Sequence, residues 1–460
     1  MYEAARNLEK IIFDACDQSL KRPSPKKKKT RHKHWYDSDL RTLRNQVAHK
    51  AKLMSTFPFN RELKNSFNRA YRIYNQTRKY KAKNYRLNII RQIDNLKSEN
   101  PKDYWKLINS LIERNIDIPA IVPVDFQDHF DGLNSIQDKF DSALMKMKVK
   151  LSTLETNSKN LTGLDETITE KEFFSAIKKL KSNKSGGLQL ITHDMLKAGH
   201  NILAPILLKL FNSILSSGFY PDHWSTGYLS PIFKSGDRSK PVNYRSIAIT
   251  GCLEKLLNSI LNNRLDDFLM KHKIISPYQI RFTKKSRPAD HIFVLKTAIY
   301  KYICKKKKLY TCFIDLKKVF DSVMHEAIYI KLLQIGNGGS FYEVLKNMYC
   351  KSKLHVKIGN ILTDNFTSKI GVRQGDILRP NLFKIFINNP PNYFEETPDP
   401  AIIDSRKIDC LLYADDVVIM STSHDGLQCK LNKLQAFCDD WGIDVNLSKT
   451  KTMIFNKTGF

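Results

Sequence analysis

The chain has 460 residues, 42% of them hydrophobic, and carries 76 Lys and Arg against 46 Asp and Glu, a formal net charge of +30. That length allows two or three domains and a sizeable core, while the charge far exceeds what solubility requires and suits a polyanionic partner. No apolar run approaches the length of a membrane span, no secretory signal opens the chain, and the eight cysteines form no Cys-x-x-Cys pair or Cys/His cluster. Cys312 and Cys410, inside apolar runs, read as reduced core residues of an intracellular protein, with no zinc site.

In chain order, Tyr2 to Leu20 has the pattern of an amphipathic helix. Residues 21–34 are basic and broken by proline, and should be extended. Their Lys26, Lys27, Lys28, Lys29 and Arg31 suit a nuclear localisation signal or a nucleic-acid arm, or else a solvated linker. Residues 36–115 are helical in pattern. There Tyr71, Tyr74, Tyr80 and Tyr85 interleave with Arg69, Arg72, Arg78, Lys79, Lys81, Lys83 and Arg86. Cations for phosphates and rings for stacking fit a nucleic-acid surface; a helical bundle with a charged exterior fits equally. Tyr104 and Trp105 read as core anchors. Residues 1–120 thus form a basic helical segment and 121–165 a linker, polar at Ser152, Thr153, Asn157, Ser158, Asn160 and Gly163.

The remainder, 166–460, opens on a helix with a capping box from Thr169 to Glu172, ended by a turn at Gly186-Gly187. Leu253 to Phe268 is a helix by periodicity. Leu309 to Ile314 is a β-rich run ending in Asp315, and helical periodicity resumes at Ala327, Ile328, Ile330, Leu332 and Leu333. Residues 353–369 alternate around Gly359-Asn360 as a hairpin. Ile408 to Tyr413 and Val417 to Met420 read as short buried strands joined by a turn at Ala414-Asp415-Asp416. Residues 424–440 form an amphipathic helix with Leu427, Leu431, Leu434 and Phe437 inward, and a strand through Met453-Ile454-Phe455 follows.

Paired carboxylates at the tip of an apolar hairpin repel, and one tends to stay protonated unless a cation neutralises them. Hard oxygen ligands favour Mg²⁺ or Mn²⁺ over zinc, although turn chemistry alone also accounts for Asp there. If the strand ending at Asp315 pairs beside this hairpin, Asp315 and Asp415 can face one another. Two metals roughly 3.5–4 Å apart would fit between them, an arrangement that activates a primer 3′-hydroxyl and stabilises leaving pyrophosphate.

Four ordered segments carry a resemblance. Phe313-Ile314-Asp315-Leu316-Lys317-Lys318-Val319-Phe320-Asp321, Gly371-Val372-Arg373-Gln374-Gly375-Asp376-Ile377-Leu378, Tyr413-Ala414-Asp415-Asp416, and Trp441-Gly442 with Asn446-Leu447-Ser448-Lys449-Thr450 resemble motifs A to D of non-LTR, jockey-like retrotransposon reverse transcriptases. The likeness is strong over about 165–460 and weaker over 1–120. It implies an α+β fold, the fingers and palm of a right-hand polymerase, with an antiparallel palm sheet and helices. It implies Asp315, Asp415 and Asp416 as catalytic, metal-binding carboxylates, with the Leu316 carbonyl as a further ligand. Phe320 matches the gate under the nucleotide sugar, Gln374 the nucleotide pocket, and Lys449 the lysine near pyrophosphate. Ser230-Pro231-Ile232-Phe233-Lys234 and Asn243-Tyr244-Arg245-Ser246-Ile247 resemble fingers strands, so that Lys234 and Arg245 would reach the triphosphate.

The implied activity is RNA-directed DNA synthesis with Mg²⁺ (or Mn²⁺), dNTPs, an RNA template and a DNA primer or target, in the nucleus and, as a ribonucleoprotein, the cytoplasm. The chain resembles the middle of such an element's second open reading frame, without endonuclease, thumb or zinc knuckle. Departures from the family pattern are Gln189, Arg281, Lys285, Ser286-Arg287-Pro288, Val319, Arg379 and Asn381. They support a rival reading, a nucleic-acid-binding remnant with weak or no turnover. An RNA-templated RNA polymerase also uses three aspartates, but Phe320 at the gate position speaks against it.

Overall fold

Three apolar runs that the sequence marks as strands meet in one antiparallel sheet. The computed structural model describes residues 2–19, 35–111, 122–157, 163–284 and 286–456. Its strands are β1 (Thr226–Phe233), β2 (Tyr244–Ile249), β3 (Leu309–Asp315), β4 (Lys353–Ile358), β5 (Ile361–Leu362), β6 (Phe366–Thr367), β7 (Ala401–Ile403), β8 (Arg406–Ile408), β9 (Cys410–Tyr413), β10 (Asp416–Ser421) and β11 (Lys451–Phe455). The central sheet has the order β11-β3-β10-β9, antiparallel throughout. A second sheet runs β2-β1-β4-β5 with β6 also on β4, and its β1–β4 pair is parallel. β7 and β8 form a separate ribbon.

The central sheet is covered on both faces, which is why its strands read as continuous apolar runs. Cys312, Ile314, Cys410, Leu412, Val417 and Ile419 point into the main core, where Leu427, Leu434 and Phe437 of the helix His424–Trp441 meet them. The alternate residues Leu309, Leu411 and Met420 pack with Ala298 and Tyr302 of the helix Pro288–Cys304. One ion pair fastens the β9–β10 hairpin from behind. Fully buried Lys430 forms an ion pair with Asp409 at 2.6 Å and donates to the Met420 carbonyl at 2.7 Å.

The chain divides into two compact units, Lys21–Asp117 and Met1–Leu20 with Ile118–Phe460. The first contains the helices Ser38–Thr56, Arg61–Glu99 and Pro101–Leu111, the first two capped by Asp37 and Asn60. Lys81 ties Arg61–Glu99 back to Asp37 and Asp39. Leu40 is the one buried residue among those described in this unit. Trp105 is accordingly no core anchor: it stands 61% exposed with Tyr104 edge-on at 5.4 Å, and the described residues of this unit build no core around it.

In the larger unit, the helix Tyr2–Ser19 sinks Ala5, Leu8 and Ile12 into the main core, so residues 1–120 are not one body. The stretch 121–165 is not a linker either. Pro123–Leu133 buries Phe126 and Phe130 against Leu229, Tyr244, Leu354 and Val356. Asp141–Thr156 buries Ala143, Leu144 and Met147. Their apolar residues lie three or four apart, a helical stripe that the polar residues between them hide. Ser158 and Asn160 lie outside the described residues.

The helix Glu170–Lys179 has the expected reciprocal bonds between Thr169 and Glu172. It ends at Leu180, ahead of Gly186-Gly187. Those glycines serve close approach instead: at Gly187, φ is 74° and a Cβ would lie 2.7 Å from the Thr250 carbonyl. Among the described residues no helix is long and apolar enough to cross a membrane.

Candidate active site

The end of β3 and the start of β10 bring two acids together. Asp315 and Asp416 are direct cross-strand partners, and Leu316 N–H donates to the Asp415 carbonyl at 3.3 Å. Cross-strand partners on one face lie about 4.5–5.5 Å apart at Cβ. The expected facing pair was Asp315 with Asp415. The tight turn shifts this by one residue, because Tyr413 pairs with Asp416 and leaves Ala414 and Asp415 at the tip. Ala414 carries the left-handed backbone of that turn, with φ 58°, a conformation an L-residue holds only when its surroundings impose it. Here they do: buried Gln279 accepts from Ala414 N–H at 3.3 Å, and the Tyr278 carbonyl accepts from Leu412 at 2.9 Å.

Burial, then Asp415, then Asp315 push the Asp416 carboxyl above the ordinary carboxylate range. An all-oxygen donor set under mutual repulsion fits a divalent cation. Among the described residues no three His, Cys, Asp or Glu close tightly enough on one point to grip a metal as they stand. Asp315 has other partners: its Oδ2 accepts from Asn446 Nδ2 at 2.8 Å and lies 3.5 Å from Lys449 Nζ. The Asn446 backbone N–H also donates to the Asp315 carbonyl at 2.8 Å. Leu316 is buried and bridges Val445.

The Gly371–Gly375 loop is clamped from two sides. Val372 N–H donates to the Phe320 carbonyl at 2.9 Å, and a Cβ on Gly371 would lie 2.8 Å from the Asp321 carbonyl. On the other side Ala248 N–H of β2 donates to the Gln374 carbonyl at 2.7 Å, and a Cβ on Gly375 would lie 2.6 Å from the Ala248 carbonyl. Both glycines have positive φ, 86° and 113°. Gln374 lines a small cavity with Ser246 and Asp321. Arg373 turns inward instead, donating to the Ser225 carbonyl at 2.7 Å with Glu254 at 4.0 Å; burial pushes the Glu254 carboxyl up to about 8.

Phe320 is half-buried, stacked on Phe383 at 3.9 Å between centroids, with Phe282 edge-on at 6.5 Å and the Arg379 guanidinium 4.4 Å from its centroid. Two of the off-pattern residues are accommodated, Arg281 and Asn381. Arg281 lies over the rings of Tyr413 at 4.7 Å and Phe282 at 5.0 Å, and its charge favours ionised Asp416. The left-handed backbone there falls on Phe282, with φ 61°, and not on Arg281. Buried Asn381 finds Asn262 Oδ1 at 2.9 Å. Lys285 lies outside the described residues.

A group of cations stands near the carboxylates. Lys234 and Arg245 are exposed on β1's edge and β2. The Lys234 ammonium is lowered from its ordinary value by burial first, then by Arg245 and Lys318, against the opposing pull of Asp321, with Lys449 adding a further push down. Burial, then Lys318 and Lys234, lower His129 as well. Lys318 and Asn446 were not singled out as site residues from sequence; both sit in the recognised motifs, which was the available signal. Arg72, Arg78 and Lys79 are exposed on the smaller unit beside exposed Tyr71 and Tyr80. Lys26, Lys27, Lys28, Lys29 and Arg31 lie outside the described residues.

A four-stranded antiparallel palm with acids at the adjoining ends of β3 and β10, a glycine-clamped loop against a neighbouring sheet and cations alongside define the fingers and palm of a right-hand polymerase. Residues 232–459 match the family described as Reverse transcriptase (RNA-dependent DNA polymerase). The probable RNA-directed DNA polymerase from transposon BS of Drosophila melanogaster is 28% identical over 292 residues, 62% of this chain and 32% of that protein. The RNA-directed DNA polymerase from mobile element jockey of the same species is 24% identical over 300 residues, 64% of this chain and 32% of that one. The polyprotein of a type-1 retrotransposable element R2 from Nasonia vitripennis is 26% identical over 259 residues, covering 56% and 25%. An apo telomerase from Candida tropicalis gives a TM-score of 0.39 at 16% identity over 55% of this chain and 56% of that one, too weak a likeness to carry an argument. Residues 232–459 therefore form a reverse transcriptase domain, similar to those of non-LTR retrotransposon RNA-directed DNA polymerases. The chain spans about a third of the length of the first two of these relatives.

Proposed function

We propose that this chain is an RNA-directed DNA polymerase that adds dNTPs to a primer 3′-hydroxyl. The observation that carries the reading is the register of the palm, with Asp315 opposite Asp416 and Asp415 at the adjoining turn. Asp315, Asp415 and Asp416, with the Leu316 carbonyl beside them, are the residues that would hold Mg²⁺ or Mn²⁺. Bound there, the divalent metals supply the charge that activates the hydroxyl and stabilises the leaving pyrophosphate. Lys234, Arg245 and Lys318 are suited to hold the triphosphate, since cations crowded against one another gain most from a polyanion. Lys449, exposed and paired with Asp315, can exchange that carboxylate for pyrophosphate. Gln374 borders the nucleotide and Phe320 lies under its sugar. The net charge and the exposed Arg72, Arg78 and Lys79 suit phosphate contacts along an RNA template and DNA primer.

The second reading, a nucleic-acid-binding remnant without turnover, draws on Arg281 and Arg379, long side chains on the aromatic floor of the site. Primer extension on an RNA template, first with dNTPs and then with rNTPs, separates the two. Magnesium-dependent addition of dNTPs supports the polymerase; binding without any addition supports the remnant.

A further inference from the structure

We infer that Arg379 sets the sugar selectivity of this site, because its guanidinium covers the face of Phe320 on which a nucleotide sugar would rest. The inference rests on reading Phe320 as the floor of the sugar pocket. Arg379 and Phe383 stand one turn apart on the helix Arg379–Phe386, and the Phe320 ring lies against both, 4.4 Å from the guanidinium and 3.9 Å from the Phe383 ring. The Phe320 ring is thus packed by both the Phe383 ring and the Arg379 guanidinium. The Phe383 side belongs to the core, since Phe383 is buried there with Leu382 and Phe386. On the guanidinium's side stands Asp321, which lines the cavity beside Gln374, and Asp321, Tyr349, Asp376 and Asp415 all act electrostatically on Arg379.

The guanidinium is incompletely satisfied. Its Nη1 is buried with no hydrogen-bond partner, and its Nη2 is 4.0 Å from Asp321 Oδ1, beyond hydrogen-bond reach. A buried N–H without an acceptor is costly, and more so on a charged group. An oxygen arriving on this face relieves the cost. The oxygen that distinguishes a ribonucleotide is its 2′-hydroxyl. A bare aromatic floor excludes that hydroxyl by volume and by leaving it unpaired, whereas a guanidinium with a free N–H offers it an acceptor's partner. The wild-type site therefore discriminates weakly between dNTPs and rNTPs, and removing the guanidinium steepens the preference for dNTPs.

The test measures dGTP against GTP in two ways on wild type, Arg379→Ser and Arg379→Lys. One is the ratio of kcat/KM values in primer extension on RNA. The other is the ratio of equilibrium affinities on a complex with a dideoxy-terminated primer, which requires no turnover. Loss of one charge-assisted hydrogen bond to the 2′-hydroxyl should raise the deoxy-to-ribo ratio at least about tenfold in Arg379→Ser. Arg379→Lys, which keeps charge and bulk without the planar stack, should fall between and serves if the serine variant does not fold. An unchanged ratio, or one shifted toward GTP, overturns the inference. If no variant extends a primer, the polymerase reading fails, and the affinity ratio still decides on Arg379. If neither nucleotide binds the wild-type complex, the inference falls with it.

Discussion

Lys430→Met tests how the β9–β10 hairpin is held in register. Lys430 is fully buried, 2.6 Å from Asp409, whose side chain is 16% exposed, and it also donates to the Met420 carbonyl at 2.7 Å. Asp409 precedes β9 and Met420 lies in β10, so one ammonium joins both arms of the hairpin that carries Asp415 and Asp416. At an effective dielectric of about 20, two unit charges at that separation attract by roughly 6 kcal/mol before desolvation is counted. Methionine fills most of the lysine's volume but leaves a buried carboxylate unpaired, which costs about 3–5 kcal/mol, and leaves the Met420 carbonyl without its donor. Adding Asp409→Asn removes the orphaned charge and should recover about half of the loss. Urea unfolding with an unchanged m value gives both numbers, and hydrogen exchange at the amides of Asp416 to Ser421 should quicken in the single variant. A cost under about 1 kcal/mol for Lys430→Met, or no recovery in the double variant, would refute the claim that this ion pair secures the hairpin.

Three further outcomes are expected. Asp416→Asn should stabilise the fold slightly, by no more than about 0.5 kcal/mol after solvent screening. The folded carboxyl sits above its ordinary value, so the gain is present at neutral pH and disappears below about pH 4, where Asp416 is protonated folded or unfolded; thermal melts at pH 3.5 and 7 compare the two. Gly375→Ala puts a Cβ 2.6 Å from the Ala248 carbonyl at φ 113°, so it should cost about 1–3 kcal/mol and weaken nucleotide binding measured by titration. Lys331 is buried 3.7 Å from the Trp441 ring centroid, and burial, with a smaller push from Lys150, lowers its ammonium to about 7. A base lowered in the folded state penalises folding most below that value and not at all above its ordinary one. Lys331→Met should therefore stabilise more at pH 6 than at pH 9 in urea titrations, with the cation–π contact trimming the difference by about 2 kcal/mol.

The palm was legible because its strands are covered on both faces, so that Cys312, Ile314, Val417 and Ile419 and their alternating neighbours form unbroken apolar runs around the acids. The one-residue shift that sets Asp416 opposite Asp315 was not legible, since register depends on which residues a turn absorbs. The helices Pro123–Leu133 and Asp141–Thr156 escaped notice because Ser152, Thr153 and Asn157 weigh as linker when composition is read without the stripe beneath. Trp105 shows the opposite error: a large ring implies a core only where the surrounding chain builds one. Site residues within motifs, such as Phe320 and Gln374, could be named by resemblance. The partners of Asp315 and Phe320, namely Asn446 and Arg379, are fixed by tertiary geometry and needed the structure.

The most direct measurement is magnesium-dependent primer extension on an RNA template by wild type and Asp415→Asn, with RNA binding read on the same preparations. The account predicts that wild type adds dNTPs, and that Asp415→Asn loses addition while retaining RNA affinity. Addition by Asp415→Asn at the wild-type rate, or no addition by a wild-type chain that binds the RNA, would contradict it.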